Sequence, residues 1–370
     1  MRHTILGAMS LQGCYGKYHA GKPICSFCPD SEACSAESPT PEDLLTAAVP
    51  ALVKGTLDVE QFDLALTLYS GQTFRWGRDT DGWWKGVAYG VVVWLRQEER
   101  QLRYACSAAS VSTYAGSFEI ESFLRWYLRT DEPPRVRVPR PHRHLRRARD
   151  RMKGFRFVRQ EPWECIISYI LSVQAHMGLT KQRIQFLSRI LGREVVFQGG
   201  RYWTFPPVDQ LALLSEGYYR HQKFGWRSKF LPTSIQYVQE VVQSRFSGGA
   251  SRLGLEDWRA VVDGLLDTPN SGIGLKVAKC IDLFSLDRLF AVPVDTWVRK
   301  MAADWYGVEA TDAKICQWAE ERGGKLAGYK NEYLFAYYRE LHAPSLDDRV
   351  ISFSQSDAPS SVLPYEILES

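Results

Sequence analysis

Residues 270–280 read NSGIGLKVAKC. Gly272 and Gly274 permit a tight turn with positive φ and let backbone N–H groups converge on one point. The apolar spacing after Gly274 predicts a helix beginning near Leu275, whose positive dipole end adds to that convergence. Turn and helix start together make a nest suited to a phosphate. The stretch fails the P-loop pattern G-x-x-x-x-G-K-[ST], and Val277 breaks the dinucleotide fingerprint G-x-G-x-x-G, so nucleotide binding is not expected. Taken alone, the segment reads as an ordinary glycine turn between two helices. Lys276 is then a surface charge, a phosphate clamp or a nucleophile.

Residues 290–300, FAVPVDTWVRK, narrow that choice. Asp295 follows an apolar, proline-braced run and opens the next predicted helix, the usual place for an N-cap. A lysine and an aspartate on adjacent helix starts can also work as a pair. Partial burial would loosen the lysine proton and let the amine attack an electrophilic carbon. The aspartate would stabilise positive charge developing at a sugar ring.

The whole chain sets the frame. It has 370 residues, 45% hydrophobic and 13% aromatic, enough for a sizeable core and for two or three domains. No apolar run approaches the ~18 residues of a membrane span. The first residues lack an apolar signal region, so a cytoplasmic protein, nucleoid-associated in a prokaryote, is expected. The net charge is only +4, but residues 135–160, RVRVPRPHRHLRRARDRMKGFRFVRQ, are dense in Arg. That segment is either a solvated helix face or an electrostatic footprint for a polyanion.

Residues 57–110 alternate apolar and polar positions, in FDLALTLYSGQTFRW, GWWKGVAYGVVVWLRQ and RQLRYACSA, which predicts antiparallel strands. From 118 to 341 helical periodicity dominates. The expected plan is α+β: 1–40 a Cys-rich metal-binding segment, 41–117 an antiparallel β domain, 118–341 a helical body, and 342–370 a flexible tail.

Four stretches resemble one family. SGQTFRW (70–76), VRQEPWECIISYILS (158–172), GIGLKVAKCIDLFSLDRLFAVPVD (272–295) and GYKNEYLFAYYRE (328–340) occur in order. Together they are similar to the helix-hairpin-helix (HhH-GPD) DNA glycosylases, nearest to the 8-oxoguanine branch, over most of 57–341. The resemblance implies a β domain packed on a two-lobed helical glycosylase body, with the site between the lobes. It implies a bifunctional DNA glycosylase/AP lyase that extrudes a damaged purine from double-stranded DNA. Lys276 would displace the base at the sugar C1′, leaving a Schiff base that β-elimination resolves, with Asp295 assisting. No cofactor is needed for that chemistry, and a monomer is expected.

The remaining roles follow from the same resemblance. The Gly71 carbonyl would accept a hydrogen bond from an N–H that 8-oxoguanine has and guanine lacks. Phe335 would stack on the flipped base, and Cys280 would line the pocket; each also reads as a core residue. Asn331 stands where relatives place a base-reading Gln. Gln174 or His176, in SVQAHMG, would fill the hole left by the base. Trp226 and Arg227 fall where relatives place an aromatic wedge and a cytosine-reading Arg. Trp297 replaces a phosphate-contacting His. Two alternatives stay open: the same chemistry on another damaged base, and a non-catalytic DNA-structure binder that keeps the fold.

Cys14, Cys25, Cys28 and Cys34 give C-x10-C-x2-C-x5-C. Four thiolates so close signal a metal site, and the single C-x2-C knuckle departs from a zinc ribbon. The segment KPICSFCPDSEAC resembles the iron–sulfur loop of related glycosylases, so a [4Fe–4S] cluster is expected, with zinc as the alternative.

Overall fold

A computed structural model describes residues 52–132, 136–138, 142–245 and 253–342. The strand-forming pattern produces β1 (Val53–Asp58), β2 (Gly77–Arg78), β3 (Trp84–Ala88), β4 (Val91–Glu98) and β5 (Gln101–Cys106). They form one antiparallel sheet in the order β1-β5-β4-β3-β2. Leu57, Leu95 and Leu102 on one face pack with Trp76, Val158 and the helix Ile120–Tyr127. A short hairpin, β6 (Ser110–Thr113) and β7 (Gly116–Glu119), leads into that helix.

Two segments differ from the expectation. Residues Leu64–Tyr69, read as strand, form a helix, α1, because the Asp63 carboxylate accepts from the Leu66 N–H at 2.8 Å and caps it. The Ile120–Tyr127 helix is therefore α2. Inside the helical half, Glu194–Phe197 and Gly200–Trp203 form a hairpin, β8 and β9. Gln198 and Gly199, at φ 48 and 76, make the two-residue turn that such a hairpin requires. Its Val195, Phe197 and Tyr202 cover the second face of the sheet at Val87, Val92 and Ala105. The Trp94 indole donates to the Tyr202 hydroxyl at 3.0 Å.

The helices that follow are α3 (Arg143–Arg151), α4 (Pro162–Ser172), α5 (Met177–Leu191), α6 (Val208–Leu211), α7 (Glu216–His221), α8 (Phe230–Arg245) and α9 (Leu255–Asp267). Then come α10 (Leu275–Phe284), α11 (Thr296–Tyr306), α12 (Asp312–Gly323) and α13 (Ala327–His342). The Arg-rich stretch forms α3, which buries only Leu145 and Ala148. It is anchored by His144 stacked on Trp305, 4.3 Å between ring centres, and by an Arg151–Glu340 ion pair. Among the described residues no helix is long and apolar enough to cross a membrane. The tail from 343 onward lies outside the described residues.

Phe197→Ala should lower the unfolding free energy by about 3 kcal/mol in urea denaturation, the usual cost of emptying an aromatic core position. A loss below about 1 kcal/mol would show that the β8–β9 hairpin does not share the sheet's core.

Candidate active site

The loop after α1 carries the first predicted site residue. Gly71 has φ +87, a conformation that favours glycine, and a Cβ there would meet the Met177 Cε at 2.9 Å. Next to it, the Gln72 side chain is buried and fully bonded. Its Nε2 donates to the carbonyls of Thr67 (2.7 Å) and Arg156 (2.9 Å), and its Oε1 accepts from the Val158 N–H at 2.7 Å. The Gln72 carbonyl accepts from Gln160 Nε2 at 2.6 Å and from the Tyr169 hydroxyl at 2.9 Å. A buried amide with every group satisfied fixes its loop in one conformation.

Tyr169 of α4 links this loop to the lysine. Its ring stacks on Phe284 (5.5 Å, 18°), and the Lys276 ammonium sits 5.7 Å from its centre. Lys276 lies in the first turn of α10 and is hydrogen-bonded to Cys280 one turn on. The Cys280 sulfur holds the Lys276 pKa above the ordinary lysine range, and Asp295 adds to this, while burial opposes both. Burial pushes the Cys280 thiol up by more than the Lys276 ammonium pulls it down. Burial favours proton loss, as the sequence reading holds, but Cys280 and Asp295 outweigh it. Asp295 is the N-cap of α11, its Oδ1 accepting from the Val298 N–H at 2.8 Å. The capping and charge-holding readings therefore coexist.

The hairpin is as tight as its sequence implies. Gly272 has φ +76, and a Cβ there would lie 2.8 Å from the Phe230 Cβ. Ser271 is pinned from both sides, its carbonyl accepting from Ser234 Oγ at 2.5 Å and its Oγ from the Ile273 N–H at 3.1 Å. Gly274, the N-cap of α10, is exposed with nothing near its Cβ position. A cleft of about 390 Å³ opens here and brings together Gln174, Gly272, Gly274 and Lys276.

Gln174 is exposed at φ 50 on the loop before α5. His176 caps α5, its Nδ1 accepting from the Leu179 N–H at 3.1 Å. Trp226 is 41% exposed and packs edge-on against Phe230 at 5.3 Å. The Arg227 side chain turns inward. It is buried, and its Nε donates to the Val173 carbonyl at 2.7 Å, so it braces the Gln174 loop instead of facing outward to read a base. Phe335 is half-buried on α13, with the Arg339 guanidinium 5.4 Å from its ring. Trp297 lies under the same guanidinium at 5.9 Å.

Asn331 does not line the Lys276 cleft, and neither do Gly71, Cys280, Asp295 or Phe335. It is buried in a separate cavity with His142, Leu145, Met301 and Trp318, none of which lines the Lys276 cleft. The register of α13 is the reason, since residues 331 and 332 lie about 100° apart around the helix. Gln72, Tyr169 and Glu332 were not singled out from the sequence. Glu332 had a usable signal, a lone carboxylate in the aromatic run NEYLFAYY. Cys14, Cys25, Cys28 and Cys34 lie outside the described residues, among which no group of His, Cys, Asp and Glu could hold a metal.

Replacing Cys280 by Ala removes the first cause of the raised Lys276 pKa and leaves burial to act, so that pKa should fall. NMR titration of isotope-labelled, methylated lysines would read the shift, and an unchanged or higher value would contradict the assignment.

Comparison with known proteins agrees with this geometry. The family described as 8-oxoguanine DNA glycosylase, N-terminal domain, matches residues 56–166. The N-glycosylase/DNA lyase OGG1 of Arabidopsis thaliana is 28% identical over 316 residues, covering 80% of this chain and 81% of the relative. The apo structure of the Clostridium acetobutylicum 8-oxoguanine glycosylase/lyase superposes with TM-score 0.62 at 26% identity, over 78% of this chain and 98% of that one. The same Clostridium enzyme with double-stranded DNA containing cytosine opposite 8-oxoG gives TM-score 0.61 at 25% identity, over 79% and 98%. Over most of its length this chain is thus similar in sequence and fold to 8-oxoguanine DNA glycosylase/lyases.

Proposed function

We propose that this chain is a bifunctional DNA glycosylase/AP lyase of base-excision repair that removes 8-oxoguanine from duplex DNA. The observation that carries the reading is Lys276 itself. It stands at the mouth of a glycine hairpin, charge-coupled to Asp295, over a tyrosine that anchors the Gly71 loop.

The chemistry follows from these positions. The hairpin amides and exposed Gly274 grip a backbone phosphate and bring the sugar to Lys276. Lys276 gives up a proton, and its Nζ forms a bond to C1′ as the C1′–N9 bond breaks. The electron pair leaves on the base, which takes up a proton. Loss of the ring oxygen's bond gives the Schiff base; removal of a C2′ proton then expels the 3′ phosphate and cuts the strand. Asp295 stabilises the positive charge at the sugar. A rigid hairpin supplies the positioning that such a reaction needs. Gln174 and Trp226 are the groups placed to enter the duplex, and Gly71 to test the extruded base.

Because Asn331 faces another cavity, the same chemistry on a different damaged base is the second reading. The four N-terminal cysteines suit a [4Fe–4S] cluster by donor type, with a structural role. Purified protein should therefore carry iron and broad visible absorption; colourless protein with zinc would overturn that assignment.

With an 8-oxoguanine:cytosine duplex and borohydride, the protein should form a covalent complex that Lys276→Gln abolishes. Asp295→Asn should slow the reaction by about 10²-fold, the scale of losing one electrostatic stabiliser. Undiminished trapping in Lys276→Gln would refute the assignment, and trapping only with another lesion would favour the second reading.

A further inference from the structure

One carboxylate oxygen of Glu320, on α12, accepts from three donors at once. Its Oε1 lies 2.7 Å from the Lys279 ammonium, 3.2 Å from the Val292 N–H and 3.4 Å from the Cys316 thiol. Lys279 is one turn beyond Lys276 on α10. Val292 begins the run Val292-Pro293-Val294 that leads into Asp295. The same oxygen therefore grips both the helix that carries Lys276 and the segment that delivers Asp295. Val292, Val294 and Cys316 share the walls of the 390 Å³ cleft with Lys276.

The Lys279 and Glu320 side chains are 18% and 21% exposed, and an ion pair so open to water adds little by itself. The Val292 amide gives the carboxylate a further task. Val292 is fully buried, and a buried N–H left without an acceptor is costly. Pro293 has no N–H to offer in its place. Upstream, the Gly328 N–H donates to the Leu289 carbonyl at 2.9 Å, and a Cβ at Gly328 would lie 2.9 Å from the Ala291 carbonyl oxygen. Downstream, Asp295 caps α11. Glu320 holds the residues between these two anchors and ties them to α10.

We propose that Glu320 is a positioning residue for the glycosylase/lyase reaction: through one carboxylate oxygen it sets the placement of Lys276 relative to Asp295. The proposal rests on reading Lys276 as the nucleophile. Removing the oxygen frees α10 and the Asp295 segment to shift against each other. A reaction that depends on orientation then slows, while DNA gripped at Gly272 and Gly274 still binds.

The test is single-turnover base release from an 8-oxoguanine:cytosine duplex at saturating protein. Duplex affinity is measured alongside, and near-UV circular dichroism checks that each variant is folded. Glu320→Ala should slow release by about 10²-fold, the scale of a misplaced reacting group, and leave duplex affinity unchanged. Glu320→Gln keeps an oxygen that accepts from Val292 and should recover at least about tenfold of that loss. Lys279→Met removes the other end of the tie and should also slow release, so the test stands even if Glu320→Ala does not fold. Because both changes cut one connection, the double variant should be no slower than Glu320→Ala alone. Unchanged release in folded Glu320→Ala or Lys279→Met, release and affinity lost together, or losses that multiply in the double variant would overturn the proposal. Failure of the underlying site reading looks different: no borohydride-trapped species forms with the unaltered protein.

Discussion

The hydrogen bond from the Tyr169 hydroxyl to the Gln72 carbonyl joins the two halves of the site. On one side the Gln72 amide is locked by Thr67, Arg156 and Val158, so the Gly71 loop has one conformation. On the other, the Tyr169 ring lies on Phe284, the last residue of the helix that carries Lys276 in its first turn. Loop and nucleophile are thereby set by one buried aromatic instead of two independent mobile segments. Reactions that depend on orientation need such fixed separation, since small displacements are costly in rate.

The charges around that aromatic are arranged unequally. Lys276 is held as an ammonium through Cys280 and Asp295. Burial raises the pKa of both the Cys280 thiol and the Glu332 carboxyl. The resting state is also guarded, because the lysine must shed a proton before it can attack.

Much of this was legible in the sequence, for identifiable reasons. The glycine hairpin and Asp295 are local features, written in a few adjacent residues and the capping rules that act on them. The β8–β9 hairpin was not legible, since a short strand pair inside a helical region declares itself only through the sheet face it covers. The surroundings of Asn331 and Arg227 were not legible for a similar reason. A helix register differing by one residue, or a guanidinium turned inward to a carbonyl, depends on packing partners far away in the chain. The Lys276 pKa direction was missed because it is set by Cys280, which was read as a pocket wall and not as a charge partner.

The central claim is that one particular lysine forms the covalent bond, although Lys279 lies one turn along the same helix. Peptide mapping by mass spectrometry of the borohydride-reduced protein–DNA complex tests this directly. The account places the sugar adduct on Lys276, with Lys279 unmodified in its ion pair with Glu320. An adduct on Lys279, or on any lysine outside the hairpin, would contradict it.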